Sequence, residues 1–104
     1  MSNNAKIIWD FFKGKGLNNY ACAGLLGNAD AESGLNPQNL EDAYSQKLGL
    51  SDAEYTKRVD NGNYTNFVYD CAGYGIFQFT YWTLKDGLLK HCQKKKVSIG
   101  DLNA

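Results

Sequence analysis

Gly27-Asn28-Ala29-Asp30-Ala31-Glu32-Ser33-Gly34-Leu35-Asn36-Pro37 is where a helical pattern stops, and the way it stops decides how the chain is read. Gly34 suits the left-handed residue that closes a helix, and Pro37 cannot continue one. Glu32 then falls in the last turn, where the partial negative charge of the free carbonyls repels a carboxylate by a few tenths of a kcal/mol up to about 1. Local stability does not account for an acid at that place. The same repulsion, with any apolar surroundings, favours the neutral carboxylic acid, the form a proton donor needs near neutral pH. Glu32 is therefore the candidate general acid.

Upstream, the helix that ends here begins near Asn18, a good capping residue, and runs to about Ala31 with Cys22, Leu25 and Leu26 facing inward. Gly24 and Gly27 weaken it by about 1 kcal/mol each relative to alanine, which suggests close packing against a neighbour. An earlier helix is predicted over Ala5 to Lys13, with Ile7, Ile8, Phe11 and Phe12 at helical spacing, Asn4 as cap and Gly14 and Gly16 as the stop. Downstream, residues 39 to 70 are polar and hold two shorter helical candidates. One opens on the capping box Ser51-Asp52-Ala53-Glu54 and closes by Asp60-Asn61-Gly62-Asn63. Tyr64 to Tyr69 alternates weakly, as an extended segment would. A glycine loop follows, Cys71-Ala72-Gly73-Tyr74-Gly75-Ile76-Phe77-Gln78-Phe79-Thr80, and then a helix from about Tyr81 to Lys95 lined by Leu84, Leu88, Leu89 and Cys92. Ser98 to Leu102 reads as the entry to another helix. The expectation is one domain over residues 1–104, a fragment of a longer protein that lacks its last helix.

Composition bounds the possible functions. A chain of 104 residues can build one core. Eleven basic residues balance eleven acidic ones, so the phosphate attraction on which nucleic-acid binders depend is missing. Lys94-Lys95-Lys96 reads as a solvated helix end, which the helix dipole favours. No run approaches the ~20 apolar residues of a membrane span, and the polar start is unlike a signal peptide. The chain is expected to be a monomer made in the cytoplasm. Cys22, Cys71 and Cys92 form no CxxC pair and are read as thiols lining the core, with no metal implied.

The helix ending in Glu32-Ser33-Gly34, followed by Asn36-Pro37 and, about forty residues later, by Gly73-Tyr74-Gly75-Ile76-Phe77-Gln78-Phe79-Thr80, resembles the phage tail-tip lysozyme family of the lysozyme-like superfamily. The resemblance implies a mainly α, lysozyme-like domain with helices around a glycan cleft and little or no β structure. It further implies that Glu32 is the catalytic acid, that Ser33, Tyr74, Gly75, Gln78 and Thr80 line the cleft, and that the substrate is bacterial peptidoglycan. The bond cut would join N-acetylmuramic acid to N-acetylglucosamine. No cofactor is implied. The enzyme would reach the wall within a phage particle or as a released endolysin, joined to further domains or tail proteins.

Glycoside cleavage also needs a partner for the cationic sugar: a carboxylate, water, or a group on the substrate itself. Asp70 is the leading candidate, with Asp60 and Asp42 behind it. Without a nearby carboxylate, the substrate's N-acetyl group would close an anhydro sugar, as in a lytic transglycosylase. Two rivals stand beside these readings. One is a cysteine peptidase or amidase pairing Cys22 or Cys71 with His91, and the other is a lysozyme-like module that binds glycan without turnover.

Overall fold

Short polar side chains begin three of the helices. Ser2 accepts the Ala5 N–H, Asn18 accepts the Ala21 N–H at 2.9 Å, and Ser51 and Glu54 form a reciprocal capping box. The structure, a computed structural model, describes residues 2–103. Its helices are α1 (Asn3–Gly14), α2 (Asn19–Ser33), α3 (Asp42–Leu48), α4 (Asp52–Asp60) and α5 (Trp82–Lys95). Between them lie turns and two isolated antiparallel bridges, Leu40 with Tyr74 and Tyr74 with Phe79. The mainly α expectation holds.

Helix α2 ends as its sequence predicts. Gly34 takes φ 60° and its N–H donates to the Asp30 carbonyl at 2.8 Å, leaving Glu32 in the last turn. Helix α1 starts earlier than expected, capped by Ser2 rather than Asn4. The Asn4 amide is used elsewhere, donating to the Leu35 carbonyl at 3.0 Å and tying α1 to the segment just beyond α2.

Burial falls into two groups. Helices α1 and α2 pack on each other and bury Ala5, Ile8, Cys22 and Ala29. The main cluster gathers Leu40, Leu50, Tyr55, Val59, Phe67, Ala72, Tyr74, Cys92 and Ile99. Full burial of side chains such as Leu40 and Phe67 contributes about 1.5–3 kcal/mol each. Burying Phe67 requires its segment to turn inward, so residues 67–69 form a turn, and residues 64–66 before it pair with no strand, in place of the extended stretch expected. Residues 97–103 also form turns rather than a helix entry. The Ser98 hydroxyl is drawn to Asp60, whose other oxygen accepts the Ile99 N–H at 3.0 Å.

Helix α5 departs most from its sequence pattern. Leu84 is half exposed, whereas Lys85 is fully buried. Its ammonium donates to Asp70 and to the Ala72 carbonyl, and lies 4.4 Å from the centre of the Phe67 ring. Asp70 also accepts the Tyr55 hydroxyl at 2.6 Å, the Tyr64 hydroxyl at 2.7 Å and the Ala72 N–H at 2.9 Å. Burial, reinforced by the Asp70 carboxylate, pushes the Tyr55 and Tyr64 hydroxyls well above their ordinary range. Burial pushes the Lys85 ammonium down, against the pull of Asp70. This knot fixes the start of the glycine loop to α4 and α5.

Candidate active site

The end of α2 and the glycine loop meet at Ser33. Its Oγ lies 2.8 Å from the Ala29 carbonyl and 2.9 Å from the Ile76 carbonyl, so one hydroxyl proton is shared between its own helix and the loop. Gln78 sits in the left-handed region at φ 51°. It is held there by Nε2, which donates to the Asn39 carbonyl at 2.8 Å and to the Gly75 carbonyl at 2.9 Å. Gly73 makes this seat possible, because a Cβ there would meet Gln78 Oε1 at 2.8 Å and Glu41 Oε1 at 3.4 Å. The Gly73 carbonyl in turn accepts the Glu41 N–H at 2.8 Å, placing Glu41 at the head of α3.

These contacts enclose an open groove of about 430 Å³ whose lining includes Glu32, Ser33, Asn39, Glu41, Asp42 and Gln78. Among the described residues it holds three carboxylates and no basic side chain. Glu32 itself is exposed and makes no hydrogen bond or ion pair among the described residues. Such a groove offers a neutral hydroxyl- and amide-rich ligand several acceptors, two amide side chains and one or more proton donors or bases. A larger apolar cavity of about 790 Å³ lies between α1, Ile76, Phe77 and α5, and among the described residues Asp10 is the one carboxylate that lines it.

Of the residues singled out from sequence, Glu32, Ser33 and Gln78 are brought together. Four others are not. Tyr74 is fully buried, its hydroxyl 2.5 Å from Thr56 Oγ1, so its ring is core and offers no face to a ligand. Gly75 does not line the groove but stands behind it, a turn former at φ 84° whose N–H donates to the Asn39 carbonyl at 3.0 Å. Thr80 is exposed and lies outside the groove. The Asp70 side chain is 3% exposed, committed to Lys85 and outside the lining of the groove. Asp60 is engaged with Ser98 and Ile99, and only Asp42 of the three aspartates lines the groove.

Glu41 went unnoticed in the sequence. Its only local signal was its place immediately before the acidic first turn of α3, and its proximity to Glu32 depends on the long-range contact with Gly73. The cysteines divide differently from expectation: Cys22 and Cys92 are buried, but Cys71 is exposed. No hydrogen bond joins any of them to His91, which lines the apolar cavity instead.

A mainly helical domain whose glutamate ends one helix and shares an acidic groove with a glutamine-bearing glycine loop is of the lysozyme-like kind. The chain belongs to the phage tail lysozyme family, whose sequence model matches residues 3–104. No curated protein and no solved structure matches it. Membership carries a lysozyme-like role in cleaving peptidoglycan, and so action on the bacterial cell wall. No helix among the described residues is long and apolar enough to cross a membrane.

Proposed function

We propose that the protein is a muramidase that cuts between N-acetylmuramic acid and N-acetylglucosamine, with Glu32 as general acid and Glu41 as the second carboxylate. The observation that carries this reading is that Glu32 and Glu41 reach one groove from different elements, the end of α2 and the head of α3. Glu32 gives its proton to the glycosidic oxygen as the bond to the muramic carbon breaks, and the departing sugar leaves as an alcohol. Glu41 meets the positive charge left on that carbon, and water completes the hydrolysis. Gln78 and Ser33 shape the groove, and the exposure of Asp42 suits it to contacts at the rim. We further propose delivery to the wall on a phage tail, with this domain joined to others.

Mass spectrometry of fragments released from purified peptidoglycan tests the assignment. Wild-type protein is expected to release disaccharide-peptides carrying one added water, Glu32→Gln none, and Glu41→Gln the same products more slowly. Anhydro products from the wild type would instead make it a lytic transglycosylase that uses the substrate's N-acetyl group. Equal release by Glu32→Gln, or cleavage confined to the peptide stems, would sink the assignment. Binding to the wall without release would leave a non-catalytic module.

A further inference from the structure

Large aromatic side chains are normally withdrawn from water, and an exposed group of them marks an interaction surface. Tyr69, Tyr81 and Trp82 are 69%, 62% and 44% exposed. They are also together: the Tyr69 and Trp82 rings stack at 6.1 Å and 27°, and Tyr81 leans on Trp82 at 6.3 Å. None belongs to the core cluster.

The mounting of this stack is unusually firm for a surface feature. Tyr69 immediately precedes Asp70, and Trp82 lies three residues before Lys85. The buried ion pair between Asp70 and Lys85 therefore pins both halves of the stack from beneath. A surface held in advance loses little conformational freedom when a ligand settles on it. One and two turns beyond Trp82 on the same helix, Asp86 and Lys90 form an ion pair at 2.9 Å and supply a polar edge.

We propose that this stack is a second glycan-binding platform, which holds a length of the polysaccharide strand away from the cleaved bond. The proposal rests on the peptidoglycan-cleaving reading for the identity of the polymer. The chemistry favours a sugar over a protein partner. The rings carry negative faces, which attract the slightly positive C–H face of a pyranose, and each ring also bears a hydroxyl or indole N–H for the sugar's hydroxyls. No aliphatic side chain takes part in the stack. The segment that begins at Tyr69 and ends at Trp82 also carries Gln78 into the acidic groove, so stack and groove are built on one stretch of chain.

The test measures binding to purified glycan strands stripped of their stem peptides, in a Glu32→Gln background so that the strands are not consumed. Tyr69→Ala and Trp82→Ala are each expected to weaken binding several-fold, and together by roughly tenfold or more, as loss of one or two stacking contacts implies. Trp82→Phe should keep most of the affinity. With Glu32 restored, the double variant should raise KM on long strands while leaving kcat on short oligosaccharides unchanged. Strand binding by a folded double variant equal to that of its parent would overturn the platform, as would failure of the parent to bind strands. So would binding that requires the stem peptides or a protein partner. If the double variant is unfolded by circular dichroism, Trp82→Gln against Trp82→Phe decides on the same binding curve. A Glu32→Gln protein that still cleaves would sink the catalytic assignment alone, because the effect of Tyr69→Ala and Trp82→Ala is read against that same parent under the same conditions.

Discussion

Asp70 and Glu32 are two carboxylates that the sequence presents as partners in one reaction, and the fold gives them opposite surroundings. Asp70 is 3% exposed and takes part in four interactions, with Lys85, the Ala72 N–H and the hydroxyls of Tyr55 and Tyr64. A carboxylate has about four lone-pair sites, so Asp70 is saturated. It cannot accept a proton or attack a sugar without dismantling its own support. Glu32 stands exposed in an acidic groove with no hydrogen-bond or ion-pair partner among the described residues. The difference teaches that a carboxylate is free for chemistry when the fold leaves its valences open, and that a buried ion pair is a sign of scaffolding.

The contrast is broken most forcefully by stranding one charge of the buried pair. Lys85→Met leaves Asp70 without its cation, and such an uncompensated buried charge typically costs about 3–5 kcal/mol, a large part of the roughly 5–15 kcal/mol that stabilises a domain. Urea unfolding should show that loss, and turnover should fall with the folded fraction. Asp70→Asn should act in the same direction. Replacing both, as Asp70→Leu with Lys85→Met, should recover much of the stability because neither charge is left alone. If the double replacement is as damaging as either single one, the pair does more than hold the fold.

Glu32→Gln should give the reverse pattern. Loss of a general acid lowers turnover by about 10²–10⁴, read as release of soluble fragments from peptidoglycan. The fold should keep its stability or gain a few tenths of a kcal/mol, since a neutral amide relieves the repulsion at the end of α2. A Glu32→Gln protein that unfolds more readily while keeping its turnover would exchange the roles given to the two carboxylates.

The helix ends were legible because caps are local. Asn18, Ser51 with Glu54, and Gly34 each signal through residues a few positions away, and each acts as its type suggests. The meeting of Glu32 with Gln78 was legible only through the pairing of two motifs, each weak alone. What the sequence hid depends on distant contacts. Helical spacing alone turns Leu84 inward, and only the presence of Asp70 beside α5 explains why Lys85 takes that place. Tyr74 sits in a loop that looks ligand-facing, yet bridges to Leu40 and Phe79 and a hydroxyl contact with Thr56 draw it into the core. Glu41 joins the groove through the Gly73 carbonyl, thirty-two positions along the chain from its amide.

The smallest of these effects is a titration that belongs to the buried region alone. Burial, and for Tyr55 also Asp70, pushes the Tyr55 and Tyr74 hydroxyls well above their ordinary value. Unfolded tyrosines ionise near pH 10, so above that pH the unfolded chain has released protons that the folded chain retains. Stability is therefore fully present below about pH 10 and falls as pH rises beyond it, by up to about 1.4 kcal/mol per pH unit for each of these two residues. Cys92, also raised by burial, adds a loss that starts near pH 8.5. Lys85 acts in the opposite sense, since burial lowers its folded value and stability rises with pH in the window between that value and about 10.4. Its gain is complete by then, which leaves the steep alkaline limb to the tyrosines. Urea melts from pH 8 to 11 should show that limb, and Tyr74→Phe should flatten it. Glu32→Gln should run parallel to the wild type, because no tyrosine lines the acidic groove. A changed slope in Glu32→Gln, or an unchanged one in Tyr74→Phe, would mean that the groove and the buried knot are not the separate electrostatic regions their contacts make them.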